Sequence, residues 1–295
     1  MERILTLGAA GIVAVAAIAQ PQVSPPAPKW EVASIRPCEP VPDVAGRRGG
    51  SMSVTPGRLR VACLPAIDLI GSAYVGFANE ISRPIESIPI SGGPAWLRSD
   101  RYDIEAKAEG NPGWQTMEGP MLQALLEDRF KLKIHRETKE IPVYNLVVAK
   151  GGFKLQPMQD GSCAPIDAFK RRDPNEPRAT KLAGCGAVRY GLPRGEKPAF
   201  VEYHGMTLDE MAGYLVTVVD RPVINKTGIA GTFHFHVEFA PDGTIPKFAP
   251  KVPDDPPGGP SFFTAIQEQI GLKLEPGKGP GEFLVIDSVE RPSEN

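Results

Sequence analysis

Strict alternation and helical periodicity take turns along this chain, and they do so twice in the same order. In GRLRVACLP, Leu59, Val61 and Cys63 fall on every second position, which predicts a strand with one buried face, and Pro65 then opens an apolar-periodic helix running to about Gly76. Further on, Thr207 and Glu210 make a T-x-x-E capping box ahead of Leu208, Met211, Leu215 and Val219, which predicts a second helix of the same standing. Each helix leads through a loop to an alternating strand, DRYDIEAKA in one place and GTFHFHVEF in the other. Tyr102, Ile104 and Ala106 match Phe233, Phe235 and Val237 at a constant offset of 131.

The parallel continues. Met121 to His135 and Phe262 to Glu275 both read as a helix running into a short strand, with Leu132 and Ile134 answering Leu272 and Leu274; each is followed by a β-rich run, VYNLVVAKG or EFLVIDSVE. The pattern predicts an α+β fold made by tandem duplication of a small sheet covered by two helices. The expected organisation is a signal peptide at 1–19, a Pro-rich leader at 20–29, module one at 30–157, a disulfide-containing linker loop at 158–200 and module two at 201–295. Within module two, 241–260 holds seven prolines and three glycines and reads as a Pro-rich loop.

Composition narrows the classes. Glycine and proline, 31 and 32 of 295 residues, make the chain loop-rich, while 41 % hydrophobic residues suffice for a packed core. With 33 basic and 35 acidic side chains there is no global positive field for nucleic acid. The first segment has Arg3, an apolar run from Ile4 to about Ile18, and Ala17 and Ala19 in an A-x-A arrangement, as in a cleaved signal peptide, with an uncleaved N-terminal anchor as the alternative; Pro21, Pro25, Pro26 and Pro28 follow. No later stretch of about 20 apolar residues could span a bilayer. An extracytoplasmic location, in the periplasm or outside the cell, follows, and with it oxidised cysteines. Four cysteines allow three connectivities; the two close pairs, Cys38–Cys63 and Cys163–Cys185, are the expected one.

The runs EVASIRP, ISGGPAWLRSDRYDIEAKAEG, LQALLEDRFKLKIHRETKEIPVYNLVVAKGG, GMTLDEMAGYLVTVVDRPVINKTGIAGTFHFHVEF and GLKLEPGKGPGEFLVIDSVERPSEN closely resemble the soil-associated protein family expanded in Acidobacteria, an exported domain of unknown function. The resemblance covers about residues 30 to 295. It implies export and no reaction. Related domains resemble attachments of membrane metallopeptidases of the antibiotic-sensor type, which implies a sensor or partner-binding role; this sequence lacks their H-E-x-x-H helix, so the peptidase activity does not transfer. TLDEMAGYLVTVVDRPVINKTGIAG is also similar in cadence to the short N-terminal domains of secretins and TonB-dependent receptors.

Candidate chemistry is sparse. His234 and His236 lie two apart on an expected strand and His204 precedes the helix of the same module, a set that could supply three metal nitrogens. The repeat places the pair over Asp103 and Glu105, positions expected to face water. His135 stands beside Glu137 in IHRETKE, a pairing that would suit a carboxylate-oriented base and that a solvated strand end explains at less cost. SGGPAW and EPGKGPGE lack the context of a phosphate loop and are expected as turns. Glu127–Asp128 and Asp254–Asp255 are sequence neighbours and no pair for sugar hydrolysis. No nucleophile motif is present, and no catalytic, cofactor or metal residue is assigned. The expected role is a non-catalytic binding or sensor-type module for a protein, peptide or envelope component, with a secreted metal-dependent hydrolase using His204, His234 and His236 as the competing class.

Overall fold

The computed structural model describes residues 28–39, 50–78, 82–159, 161–165, 184–191, 193, 198–240 and 258–292. The expected signal peptide, nearly all of the leader, much of 158–200 and most of 241–260 lie outside them. The strands are β1 (Trp30–Cys38), β2 (Ser51–Thr55), β3 (Arg58–Pro65), β4 (Ile90–Gly92), β5 (Arg101–Ala108), β6 (Lys133–Val148), β7 (Ala164–Pro165), β8 (Gly184–Cys185), β9 (Ala187–Gly191), β10 (Ala199–Met206), β11 (Val223–Asn225), β12 (Phe233–Phe239) and β13 (Leu272–Ser288). The helices are α1 (Ala66–Gly71), α2 (Trp96–Ser99), α3 (Trp114–Thr116), α4 (Leu122–Arg129), α5 (Leu208–Leu215) and α6 (Phe262–Ile270). Helix and sheet are mixed along the described residues, as an α+β fold requires.

Two sheets repeat one design. β5, β3 and β2 lie side by side and antiparallel, with β1 added on the outer edge of β5; β12, β10 and β9 follow the same arrangement without a fourth strand among the described residues. β9 lies within the stretch expected as a linker. Alternation forms these strands because one face is buried: Tyr102, Ile104 and Ala106 point to the first core, and Phe233, Phe235 and Val237 to the second, all with at most 5 % exposure.

The sheets also share a defect. β3 bulges between Val61 and Leu64 against Ile104 and Tyr102, and β10 bulges between His204 and Met206 against His234 and Phe233. The left-handed residue is Cys63 (φ 51°) in one bulge and Gly205 (φ 62°) in the other. This bulge breaks the alternation expected to carry Cys63 onto the face of Leu59 and Val61, because the extra residue turns the chain. Cys63 is held there by its N–H donating to Asp103 Oδ1 (2.9 Å) and by Arg101 Nη1 donating to its carbonyl (3.0 Å). A cysteine pair sits at each bulge. Cys38 and Cys63 lie at disulfide distance with Cα atoms 5.7 Å apart, and Cys163 and Cys185 with Cα atoms 5.2 Å apart. The second pair packs over Gly205, where a Cβ would stand 2.7 Å from Cys163 Sγ.

The third sheet joins everything. Its order is β11-β6-β13-β4: β6 and β13 are antiparallel over their whole length, from Leu272 opposite Val148 to Ser288 opposite Lys133. The two short edge strands cross over. β4 runs parallel to the far end of β13, and β11 runs parallel to the far end of β6. Leu284 and Ile286 of β13 therefore complete the core built by β1, β3, β5, α1 and α4, while Tyr144 and Leu146 of β6 complete the core of β10, β12, α5 and α6. Here the expectation of a short strand followed by a separate β-rich run is corrected, since both pieces fuse into strands of 16 and 17 residues. The expectation of a turn at EPGKGPGE is corrected with it. Glycine and proline serve turns and close strand crossings alike, and only the partner strand, distant in sequence, decides which.

Two outcomes follow. Leu284→Ala should cost about 2–5 kcal/mol and, measured by amide hydrogen exchange, should loosen β5 more than β12, although Leu284 belongs to β13, far from β5 in sequence. Non-reducing peptide mapping should recover Cys38 with Cys63 and Cys163 with Cys185, each link contributing roughly 3 kcal/mol by loop closure; a Cys63–Cys163 peptide would contradict the pairing.

Candidate functional site

The middle of the β6–β13 ladder is crowded by neighbouring side chains, and three glycines leave room for them. Gly277, Gly279 and Gly281 of β13 carry no side chain where their neighbours lie against the strand: a Cβ on Gly281 would stand 2.1 Å from Ile141 Cδ1, and one on Gly279 2.5 Å from Ile224 Cδ1. Beside this glycine-rich stretch of the ladder lies a groove of about 420 Å³. One wall is the segment Ser82–Pro89 from the first half; the other is α5 with Pro222, Val223 and Ile224 from the second; Ile141, Pro280 and Gly281 close the floor. Tyr214 Oη, at the end of α5, donates to the Ser82 carbonyl (3.2 Å) and lies 3.1 Å from Ser82 Oγ, linking the two walls.

The polar rim has fixed positions. α5 starts with Thr207 as N-cap; its hydroxyl accepts from Glu210 N–H while Glu210 Oε2 accepts from Thr207 N–H (2.8 Å), the capping box legible in the sequence. Asp209 Oδ1 accepts from Asn225 Nδ2 (3.0 Å), and Glu282 Oε1 is paired with Arg136. Arg136 also donates to the Tyr74 carbonyl, so it ties β6 to the first half. Ser87 Oγ lies shielded from solvent without a hydrogen bond among the described residues. Gly213 faces this groove from α5, and a Cβ there would meet open space.

The histidines divide differently from the expected triad. His204 and His234 are cross-strand partners with Nδ1 atoms 2.7 Å apart and ring centroids 4.8 Å apart. At that separation one imidazole must donate to the other, so the pair holds one proton between them. His234 Nε2 lies 3.6 Å from Glu202 Oε1, and Glu202 is bonded by Arg189 (3.0 Å). His236 points elsewhere, stacked on Phe200 and 3.4 Å from Glu238. Among the described residues no three His, Cys, Asp or Glu side chains converge as metal ligands. The pair is also less open than the expectation of a water-facing strand side: burial, with the neighbouring His204, pushes the His234 pKa below its ordinary value of 6.5.

His135 meets Asp287 as well as Glu137. Its Nδ1 is 2.8 Å from Asp287 Oδ1 and its Nε2 3.3 Å from Glu137 Oε1, and the hydrogen bond to Glu137, then that to Asp287, raises its pKa. The site is fully at the surface. Glu127 accepts from Tyr74 Oη (2.8 Å), while Asp128 stays at the exposed end of α4 near Lys131.

Glu118 is an ionisable group that carried no sequence signal. Glu118 lies half-buried in the π-helical turn Met117–Met121, and desolvation pushes its pKa up to about 7. That turn packs against a second one, Ser72–Gly76, with Gly119 so close to the Phe77 carbonyl that a Cβ would stand 2.1 Å from its oxygen. Asp287, Glu202 and Ser82 were equally unmarked, since each gains its meaning from a partner strand or helix far along the chain.

A family model of proteins of unknown function, DUF3738, matches residues 72–289. No curated protein and no solved structure matches the chain.

The lowered His234 pKa carries a sign. Because the unfolded imidazole binds a proton more readily than the folded one, this group's contribution to stability is present above about pH 6.5 and is lost as pH falls toward the folded value. An NMR titration should place the His234 midpoint below 6.5, and His204→Ala should move it upward; an unmoved midpoint would show that the two rings are uncoupled.

Proposed function

The chain belongs to the DUF3738 family, whose function is unknown, and from that premise we propose that it is a non-catalytic extracytoplasmic binding module that holds its partner in the groove between its two halves. The observation that carries this reading is the groove itself: its walls come from both halves, its floor is Ile141, Pro280 and Gly281 of the β6–β13 ladder, and its volume of about 420 Å³ lies in the range of ligand sites. Export is supported by the hydrophobic leading segment and by two cysteine pairs at disulfide distance. Duplication is supported by the shared element order and by matching bulges at Cys63 and Gly205.

A second reading, the metal-dependent hydrolase, draws on one observation, the contact of His204 with His234. It requires a third ligand to be brought in, and His236 is engaged elsewhere.

The test uses Gly213, which lines the groove and where a Cβ would meet open space. Gly213→Ala should stabilise α5 by about 1 kcal/mol through helix propensity and leave binding intact, while Gly213→Trp should occupy the groove. In affinity capture from the native envelope, a partner should be retained by the wild type and Gly213→Ala and lost with Gly213→Trp. Equal capture by all three would place binding elsewhere, and stoichiometric zinc lost together with a measured turnover in His234→Ala would favour the hydrolase.

A further inference from the structure

We propose that the occupant of the groove is a short segment of a partner protein in which a lysine or arginine is flanked by apolar residues. The inference rests on the binding reading above and goes on to say what is bound. It comes from an inventory of donors and acceptors. Asp209, Glu210 and Glu282 all line the groove, and each commits only one oxygen to the protein: Asp209 Oδ1 to Asn225, Glu210 Oε2 to Thr207, and Glu282 Oε1 to Arg136. The second oxygen of each carboxylate has no partner among the described residues. Three acceptors, each carrying charge, thus border one apolar floor.

Donors are scarce on the same surface. Proline has no N–H, and Pro84, Pro89, Pro222 and Pro280 supply much of the wall. The carbonyls of the first three are already used, accepting from Ser87, Leu284 and Tyr144. What remains to donate is the Arg83 guanidinium, the single cation of the lining, since the Ser87 hydroxyl is shielded. A complementary occupant therefore brings a cation with several N–H donors, an aliphatic body, and a small number of acceptors. A lysine or arginine side chain meets the first two needs, its stem lying along Ile88 and Ile141 while its head reaches the carboxylates. Main-chain carbonyls beside it meet the third, accepting from Arg83. A simple amine offers no such acceptors, which favours a peptide.

The experiment compares two pools of short labelled peptides, random in alanine, leucine, valine and proline, with a central lysine in one pool and a central glutamate in the other. Binding to the full chain at low salt should favour lysine about tenfold, the worth of one charged hydrogen bond, and should weaken as salt is raised. Gly213→Trp should abolish it. Asp209→Asn, which keeps the acceptor for Asn225 while removing the charge, should reduce it severalfold with no loss of folding.

Several results would overturn the proposal: no binding by either pool, equal binding by both, binding unchanged in Gly213→Trp, or butylamine alone competing as well as the lysine peptides. If envelope capture still depends on Gly213 while the lysine preference is missing, the occupant is wrong and the binding reading stands. If neither depends on Gly213, both fall.

Discussion

The antiparallel ladder between β6 and β13 is the constraint on which the rest of this molecule depends. Each strand begins under its own half and ends under the other, so each core is closed by side chains supplied from the opposite half of the chain. Burying a leucine or isoleucine contributes about 1.5–3 kcal/mol, and Leu284 and Ile286 supply that contribution to the first core. Neither core is therefore a closed unit in sequence. The edge strands strengthen the exchange, because β4 and β11 each pair with the long strand that comes from the other half.

A second device recurs at the two bulges, solved by different residues. Both sheets need one left-handed residue where β3 or β10 leaves its partner. Glycine adopts that conformation without strain; cysteine does so at a cost of about 1–2 kcal/mol. Cys63 is secured by the Asp103 and Arg101 contacts and by its proximity to Cys38. At Gly205 the missing side chain is put to a different use, since its space is taken by Cys163 from a neighbouring loop. The equivalent positions thus carry a cysteine pair in one case through the bulge residue and in the other across it.

Much of the architecture was legible because one-sided burial leaves a period in the letters. FHFHVEF and YDIEA alternate since one face of each strand is packed, and the T-x-x-E box before α5 is a local bond that needs no distant partner. The two cysteine pairs at disulfide distance were legible from their closeness in sequence, a separation of 25 and of 22. The groove was not. Its walls meet through Tyr214 and Ser82, 132 positions apart, and its floor is a glycine-rich strand that looks like a turn until β6 is laid beside it. The exposed His135 shows the same limit on a smaller scale: its neighbour Glu137 could be read directly, while Asp287, 152 positions away, could not.

The glycines of β13 show why structure and site are hard to separate here. Glycine inside a strand weakens it by loss of packing and by entropy, and Gly277, Gly279 and Gly281 fall within five positions at the centre of the longest ladder in the molecule. Larger residues would strengthen the strand itself but would collide with Asn145, Ile224 and Ile141, which lean into the vacated space. Removing those side chains would in turn open the junction between the halves and deprive the groove of its floor. The local weakness of β13 is thus the condition for close approach of the two halves, and the long register on either side of the glycines, anchored by Leu272 and Leu274 at one end and Leu284 and Ile286 at the other, keeps the strand in place despite it.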